Sequence, residues 1–97
     1  MAASIRLRVL TDEGLALEDE AVSVIAPGEG GSVGFLRHHA PLITTLAPGK
    51  LTWRRSDGRL RTAQLGAGFL EVLHDRLTVL TDRFAEPASP PTRQTPG

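Results

Sequence analysis

The stretch FLEVLHDRLTVLT (residues 69–81) sets two runs of apolar and β-branched side chains either side of His74-Asp75. Two turn-forming residues between such runs read as a tight β-hairpin. The pattern extends upstream. LITTL (42–46), KLTWRR (50–55) and RLRTAQL (59–65) are separated by APG, SDG and GAG, and RRSDGRLR reads as a second hairpin turning at Asp57-Gly58. A turn signal about every 8 to 12 residues is the spacing of a sandwich or barrel. No window sustains an amphipathic helix, and there is no internal repeat.

The N-terminal part has the same period of two. IRLRVL puts Ile5, Leu7 and Val9 on one face and Arg6 and Arg8 on the other, which suits a half-buried strand. TDEG (11–14) is a turn, LAL (15–17) a short strand and AVSVIA (21–26) a stronger one, because its β-branched residues favour extended backbone. Between these two strands, Glu18-Asp19-Glu20 reads as a solvated connector. PGEGGSVG (27–34) holds four glycines and a proline and reads as a loop. From Glu86 onward EPASPPTRQTPG has four prolines in twelve residues and no large apolar side chain, so residues 1–85 are expected to form one domain and 86–97 a disordered, proline-rich tail.

Composition narrows the function. The chain has 97 residues, 11 basic and 11 acidic side chains and no cysteine. One small domain is expected, with no net field to attract nucleic acid or a membrane surface and no disulfide or thiolate site. MAAS is too short and polar for a signal peptide's apolar region, and no apolar run approaches ~18 residues, so a cytosolic or peripheral location is expected.

The search for chemistry is negative. His38 and His39 are adjacent and would point to opposite faces of an extended segment, while His74 occupies a turn tip, so a metal site is not expected and His39 reads as a structural or interface residue, His38 as a solvated one. Ser4, Ser23, Ser32, Ser56 and Ser89 lack a neighbouring His-Asp pair, and Gly28-Glu29-Gly30-Gly31 lacks the Lys and helix of a phosphate loop. No catalytic residue and no cofactor are expected. The alternative is a single-strand nucleic-acid binder, with Arg54, Arg55, Arg59 and Arg61 around one hairpin beside Trp53. Only four aromatics in the chain weigh against it, and charges on an edge hairpin serve solubility.

Shape remains. Gly34 frees the backbone, Pro41 forces Ala40 into an extended conformation, and Pro48-Gly49 ends the next strand, which prescribes a rigid loop feeding a strand. Here the residues also carry a resemblance. APGEGGSVGFLRHHAPLITTLAPGKL resembles the signature of the ε subunit of F-type ATP synthases, with Gly34, Leu36, His39, Ala40, Pro41, Leu42, Pro48 and Gly49 matching at its spacing. GAGFLEVLHDRLTVLTD is similar to that family's second block and RLRVLTDEGLALEDEAVSVIAPG to its first two strands, so the likeness covers residues 5 to about 85.

The resemblance implies an all-β fold, a ten-stranded antiparallel β-sandwich. It implies a non-catalytic central-stalk subunit that binds the γ subunit and the c-ring and couples ion translocation to ATP synthesis or hydrolysis. Its place would be peripheral, at the cytoplasmic face of the bacterial inner membrane, with no insertion into the bilayer and no nucleic-acid partner. By position, Leu36, His39, Ala40, Pro41 and Leu42 would face γ, and Glu29, Gly30, Gly31, Ser32 and Val33 would face the ring. Arg37 stands where the family usually has Pro, His38 where it has Gly, Ser32 where an acid is common, and Ala67 where it has Gly. The family usually continues into a C-terminal helical hairpin. Prolines cost a helix interior about 3 kcal/mol each, so the expectation is a form that docks without inhibiting by helix insertion.

Overall fold

The alternation of apolar and polar side chains becomes nine β-strands in a computed structural model that describes residues 4–86. They are β1 (Ile5–Thr11), β2 (Gly14–Gly28), β3 (Gly31–Leu36), β4 (Leu42–Leu46), β5 (Gly49–Arg55), β6 (Leu60–Leu65), β7 (Gly68–Leu73), β8 (Arg76–Thr81) and β9 (Phe84–Ala85). The longest, β2, has 15 residues and serves two layers. Its first half pairs with β1, from Thr11↔Gly14 to Ile5↔Ala21, and its second half pairs with β3 and β5. A register shift between Ala21 and Ser23 marks the corner, as bulges do where a strand bends.

One layer is therefore β2–β1–β8–β7–β4 and the other β3–β2–β5–β6–β9, with a Gly28↔Leu46 pair returning β4 to β2. Counted by layer, the two arms of β2 bring the nine continuous strands to the ten of the expected β-sandwich. All pairings are antiparallel except β1–β8. That pair is parallel because β8 adds to the free side of β1 only after the whole intervening chain has crossed between layers. The interior is one apolar cluster. Ile5, Leu7, Val9, Leu70, Val72, Leu77 and Val79 from the first layer meet Val24, Phe35, Leu51, Trp53, Ala63 and Leu65 from the second. Gly68 admits no side chain, since a Cβ there would lie 1.9 Å from the Leu80 carbonyl oxygen.

Three local expectations change. Glu18-Asp19-Glu20 is not a connector but the middle of β2, because each acid has a partner across the sheet. Glu18 and Glu20 pair with Arg6 at 3.1 and 3.2 Å, while Asp19 Oδ2 accepts the Trp53 Nε1–H at 2.9 Å and faces Arg55 Nε at 3.2 Å. PGEGGSVG is mostly strand: only Glu29 and Gly30 form the turn between the paired Gly28 and Gly31. The Asp57-Gly58 hairpin is wider than a two-residue turn. Gly58 alone has positive φ (92°), and its N–H donates to the Arg55 carbonyl at 2.8 Å, closing a four-residue turn. At His74-Asp75, by contrast, both residues have positive φ (52° and 59°), the pattern of a type I′ turn. The tail expected over 86–97 lies outside the described residues apart from Glu86, whose carboxylate accepts from Arg61.

Candidate docking surface

An antiparallel layer with one buried face needs apolar side chains at one parity only. In the first layer apolar residues also occupy part of the other parity. Behind the inward Leu70, Val72, Leu77 and Val79, the outward positions of β7 and β8 carry Phe69, Leu73 and Leu80, interspersed with Glu71, Arg76 and Thr78. The registers Leu15↔Leu10, Leu10↔Leu80 and Leu80↔Phe69 align an apolar row across β2, β1, β8 and β7, which Phe69↔Thr45 ends at β4. Phe69 is 55% exposed and Leu80 50%. Ile43, at 70%, lies beside the row on β4. On the side of β1 and β2 the surface becomes charged, through Arg6, Arg8, Glu18 and Glu20. An apolar centre beside a polar rim is the anatomy of a protein–protein interface.

The two segments expected to meet partners sit at opposite ends of β3, whose six residues span about 20 Å. The 29–33 segment is a hairpin tip plus the start of β3. Glu29 Oε1 accepts the Thr45 hydroxyl at 2.9 Å, which ties this tip to the end of the apolar row. Glu29, Gly30, Gly31 and Ser32 are exposed, while Val33 packs half-buried against the core.

The 36–42 segment begins with a turn closed by the His39 N–H donating to the Leu36 carbonyl at 3.2 Å. His38, third in that turn, has φ 68°. That is the position of a type II turn that wants glycine. The side chain of Leu36 is 65% exposed. His39 is half-buried: its ring lies edge-on to Phe35 at 5.0 Å between centroids, and its Nδ1 is 2.7 Å from the Ala40 carbonyl. A carbonyl only accepts, so Nδ1 holds the proton. Ala40 and Pro41 are exposed, and Leu42 packs against the core as β4 begins. The His38 side chain is exposed, as expected, while its backbone N–H donates to Asp75 Oδ1 at 2.5 Å.

Thus the expected residues form two separate tips, and the face that joins them, with Leu10, Leu15, Ile43, Phe69, Leu73 and Leu80, was not singled out by the sequence reading. Its signal was present as the surplus of apolar residues in FLEVL and RLTVL. The arginine hairpin reads differently in three dimensions. Arg55 and Arg61 face Asp19, Arg61 also faces Glu86 and lies 5.4 Å from the centre of the Trp53 ring, Arg59 pairs with Asp57, and Arg54 donates to the Gly58 carbonyl at 3.0 Å. Trp53 is fully buried. At this hairpin no aromatic ring is exposed for stacking and the arginines are engaged with neighbouring groups, which disfavours a nucleic-acid strand there.

Comparison with known proteins gives concordant results. The family model of the ATP synthase delta/epsilon chain β-sandwich domain matches residues 4–87. The ATP synthase epsilon chain of Moorella thermoacetica is 44% identical over 80 residues, covering 82% of this chain and 60% of that one. The epsilon chain of Desulfosudis oleivorans is 40% identical, covering 84% and 62%. The chain thus spans about three fifths of the length of these curated relatives. Among solved structures, a chain of the Euglena gracilis mitochondrial ATP synthase in an OSCP, F1 and c-ring assembly superposes with a TM-score of 0.82 at 20% identity, covering 89% of this chain and 55% of that one. A chain of the Tetrahymena thermophila mitochondrial ATP synthase central stalk and c-ring gives 0.70 at 12% identity, covering 84% and 66%.

Proposed function

The chain belongs to the family of the ATP synthase delta/epsilon β-sandwich domain, and from that premise we propose that it is a docking module of a rotary ATP synthase's central stalk. It binds the γ subunit through the outer face of the β1–β8–β7–β4 layer together with the 36–42 turn. It meets the c-ring through the 29–33 tip. It performs no chemistry; it transmits torque by holding the soluble stalk to the ring, and so couples ion flow to ATP synthesis or hydrolysis. Its place is peripheral, at the cytoplasmic face of the bacterial inner membrane.

The observation that supports this reading most directly is the apolar row through Leu10, Leu80 and Phe69. Half-exposed leucine and phenylalanine side chains aligned across neighbouring strands gain little from water, and burying them yields about 25 cal/mol per Å². A stable interface covers about 800 Å² per partner, which the face and the adjoining turn together can offer. Location supports it as well: the row ends at Thr45, beside the 29–33 tip that the family resemblance assigns to the ring, and Ile43 and Leu73 continue the face towards the 36–42 turn assigned to γ.

The test is binding of this chain to the γ subunit encoded with it, by native mass spectrometry and titration calorimetry. Phe69→Glu and Leu80→Glu place a charge in the centre of the row, on side chains outside the core. Each is expected to weaken a one-to-one complex at least tenfold, with thermal stability of the free chain nearly unchanged. A complex of unaltered affinity in both variants would overturn the assignment of the face.

A further inference from the structure

Among the described residues, the three non-glycine residues with positive φ are His38 (68°), His74 (52°) and Asp75 (59°). They are scattered in sequence but meet in space. His74 and Asp75 form the β7–β8 turn, and His38 lies in the turn between β3 and β4. Left-handed backbone at such residues costs about 1 kcal/mol or more each and persists only where surrounding contacts dictate it. Here the contacts converge on Asp75. Its Oδ1 accepts the His38 N–H at 2.5 Å, and its Oδ2 lies 3.5 Å from His38 Nδ1. Its own carbonyl accepts the Arg6 N–H at 2.9 Å, fixing the hairpin tip to the start of β1.

We infer that Asp75 is a positioning residue for docking: it clamps the 36–42 turn to the end of the β1–β8–β7 layer, so that turn and apolar face form one rigid surface. The inference rests on the reading that this surface binds γ, and it adds a residue that the resemblance does not assign. The geometry explains why the clamp acts on the turn rather than on the core. The Asp75 side chain is 30% exposed and the His38 side chain 72%, so both ride on the surface and neither fills the interior. Without the carboxylate, the left-handed turn at His38 loses the acceptor that its N–H is aimed at. Leu36 and Pro41 on either side of it then lose their fixed relation to Ile43 and Leu73. A partner binding that surface must order it at its own expense, which lowers affinity without touching a contact residue.

Two substitutions separate the clamp from backbone strain. Asp75→Gly keeps and favours the positive φ, and keeps the Arg6–carbonyl bond, but removes the carboxylate. Asp75→Asn retains an oxygen acceptor and tolerates the left-handed conformation. In the free chain, amide hydrogen exchange at His38 is expected to accelerate about tenfold in the glycine variant and to return towards the parent rate in the asparagine variant. Affinity for γ is expected to fall roughly fivefold to tenfold in Asp75→Gly and to recover in Asp75→Asn, at similar melting temperature. Unchanged exchange at His38 in Asp75→Gly would overturn the clamp. Faster exchange with unchanged affinity would overturn its role in docking. If the parent chain itself fails to bind γ, the docking reading falls, and the exchange experiment still decides whether Asp75 holds the turn.

Discussion

Asp19 shows how one side chain closes three accounts of polarity at once. Its side chain is only 10% exposed, which would be costly for an unpaired carboxylate. Oδ1 accepts the Glu20 N–H at 2.8 Å, Oδ2 accepts the Trp53 indole N–H at 2.9 Å, and the guanidinium groups of Arg55 and Arg61 stand at 3.2 and 3.6 Å. Trp53 is the largest fully buried side chain, and Asp19 is the acceptor of its indole N–H. Asp19→Ala is therefore expected to destabilise the sandwich by about 2–3 kcal/mol, chiefly through the orphaned indole N–H, because the two arginines are more than a third exposed and can turn to water. Asp19→Asn keeps an acceptor and should lose about half as much. Urea unfolding followed by Trp53 fluorescence measures both, and a change below about 0.5 kcal/mol in the alanine variant would show that the indole has found another partner.

At the scale of the element, hairpins were the most legible features and mixed-parity strands the least. His74-Asp75 announced its turn because two residues between apolar runs leave the backbone few options. Asp57-Gly58 announced a turn but not its width, since the closing bond starts at Arg55 and depends on main-chain geometry that residue types do not encode. Glu18-Asp19-Glu20 misled because acids in a strand make sense only once the cross-strand arginines are known. The glycines at 28, 30, 31 and 34 concealed β3, for an edge strand with one neighbour requires little from its side chains. The apolar outer face is hidden for a related reason: a single strand shows surplus apolar residues, whereas their alignment into a row appears only through the registers of four strands. The Asp57 turn carries its own test. The Arg59 backbone N–H donates to Oδ1 at 3.0 Å, and with Arg55 and Arg59 nearby it holds the Asp57 carboxyl below the usual aspartate value of 3.8. A carboxyl with depressed folded pKa contributes stability above its unfolded value and loses it as pH falls through the folded one. Acidification below about pH 4 should thus loosen the β5–β6 turn first. The Arg59 amide resonance is expected to titrate below the ordinary aspartate range in the parent and to show no such step in Asp57→Asn. Titration at or above the ordinary value would mean the side-chain bond is not formed.

The whole molecule follows from β2 belonging to both layers. A sandwich whose layers share only loops can lose one layer at a time, but here Val24 and Ala26 of one arm and Ala21 at the corner enter the same cluster as Ile5, Leu7 and Leu77. Breaking either layer strips the other of its inner face, so the energetic unit is the full chain of described strands. A load applied at the 29–33 tip therefore reaches the opposite turn through one continuous core rather than through a hinge. Cooperative unfolding is the measurable consequence. Trp53 lies in the β3–β2–β5–β6–β9 layer, and its fluorescence reports that layer, while the amide resonances of Leu77 and Val79 report the other. Their urea transitions are expected to share one midpoint and one slope, and backbone circular dichroism to follow them. Strand pairings such as β1–β8 join residues about 70 apart in sequence, so the main refolding phase should take milliseconds to seconds. A lower midpoint for either layer would show that β2 bends as a hinge at Ala21–Ser23, and the apolar face and the 29–33 tip would then have to be treated as two bodies instead of one.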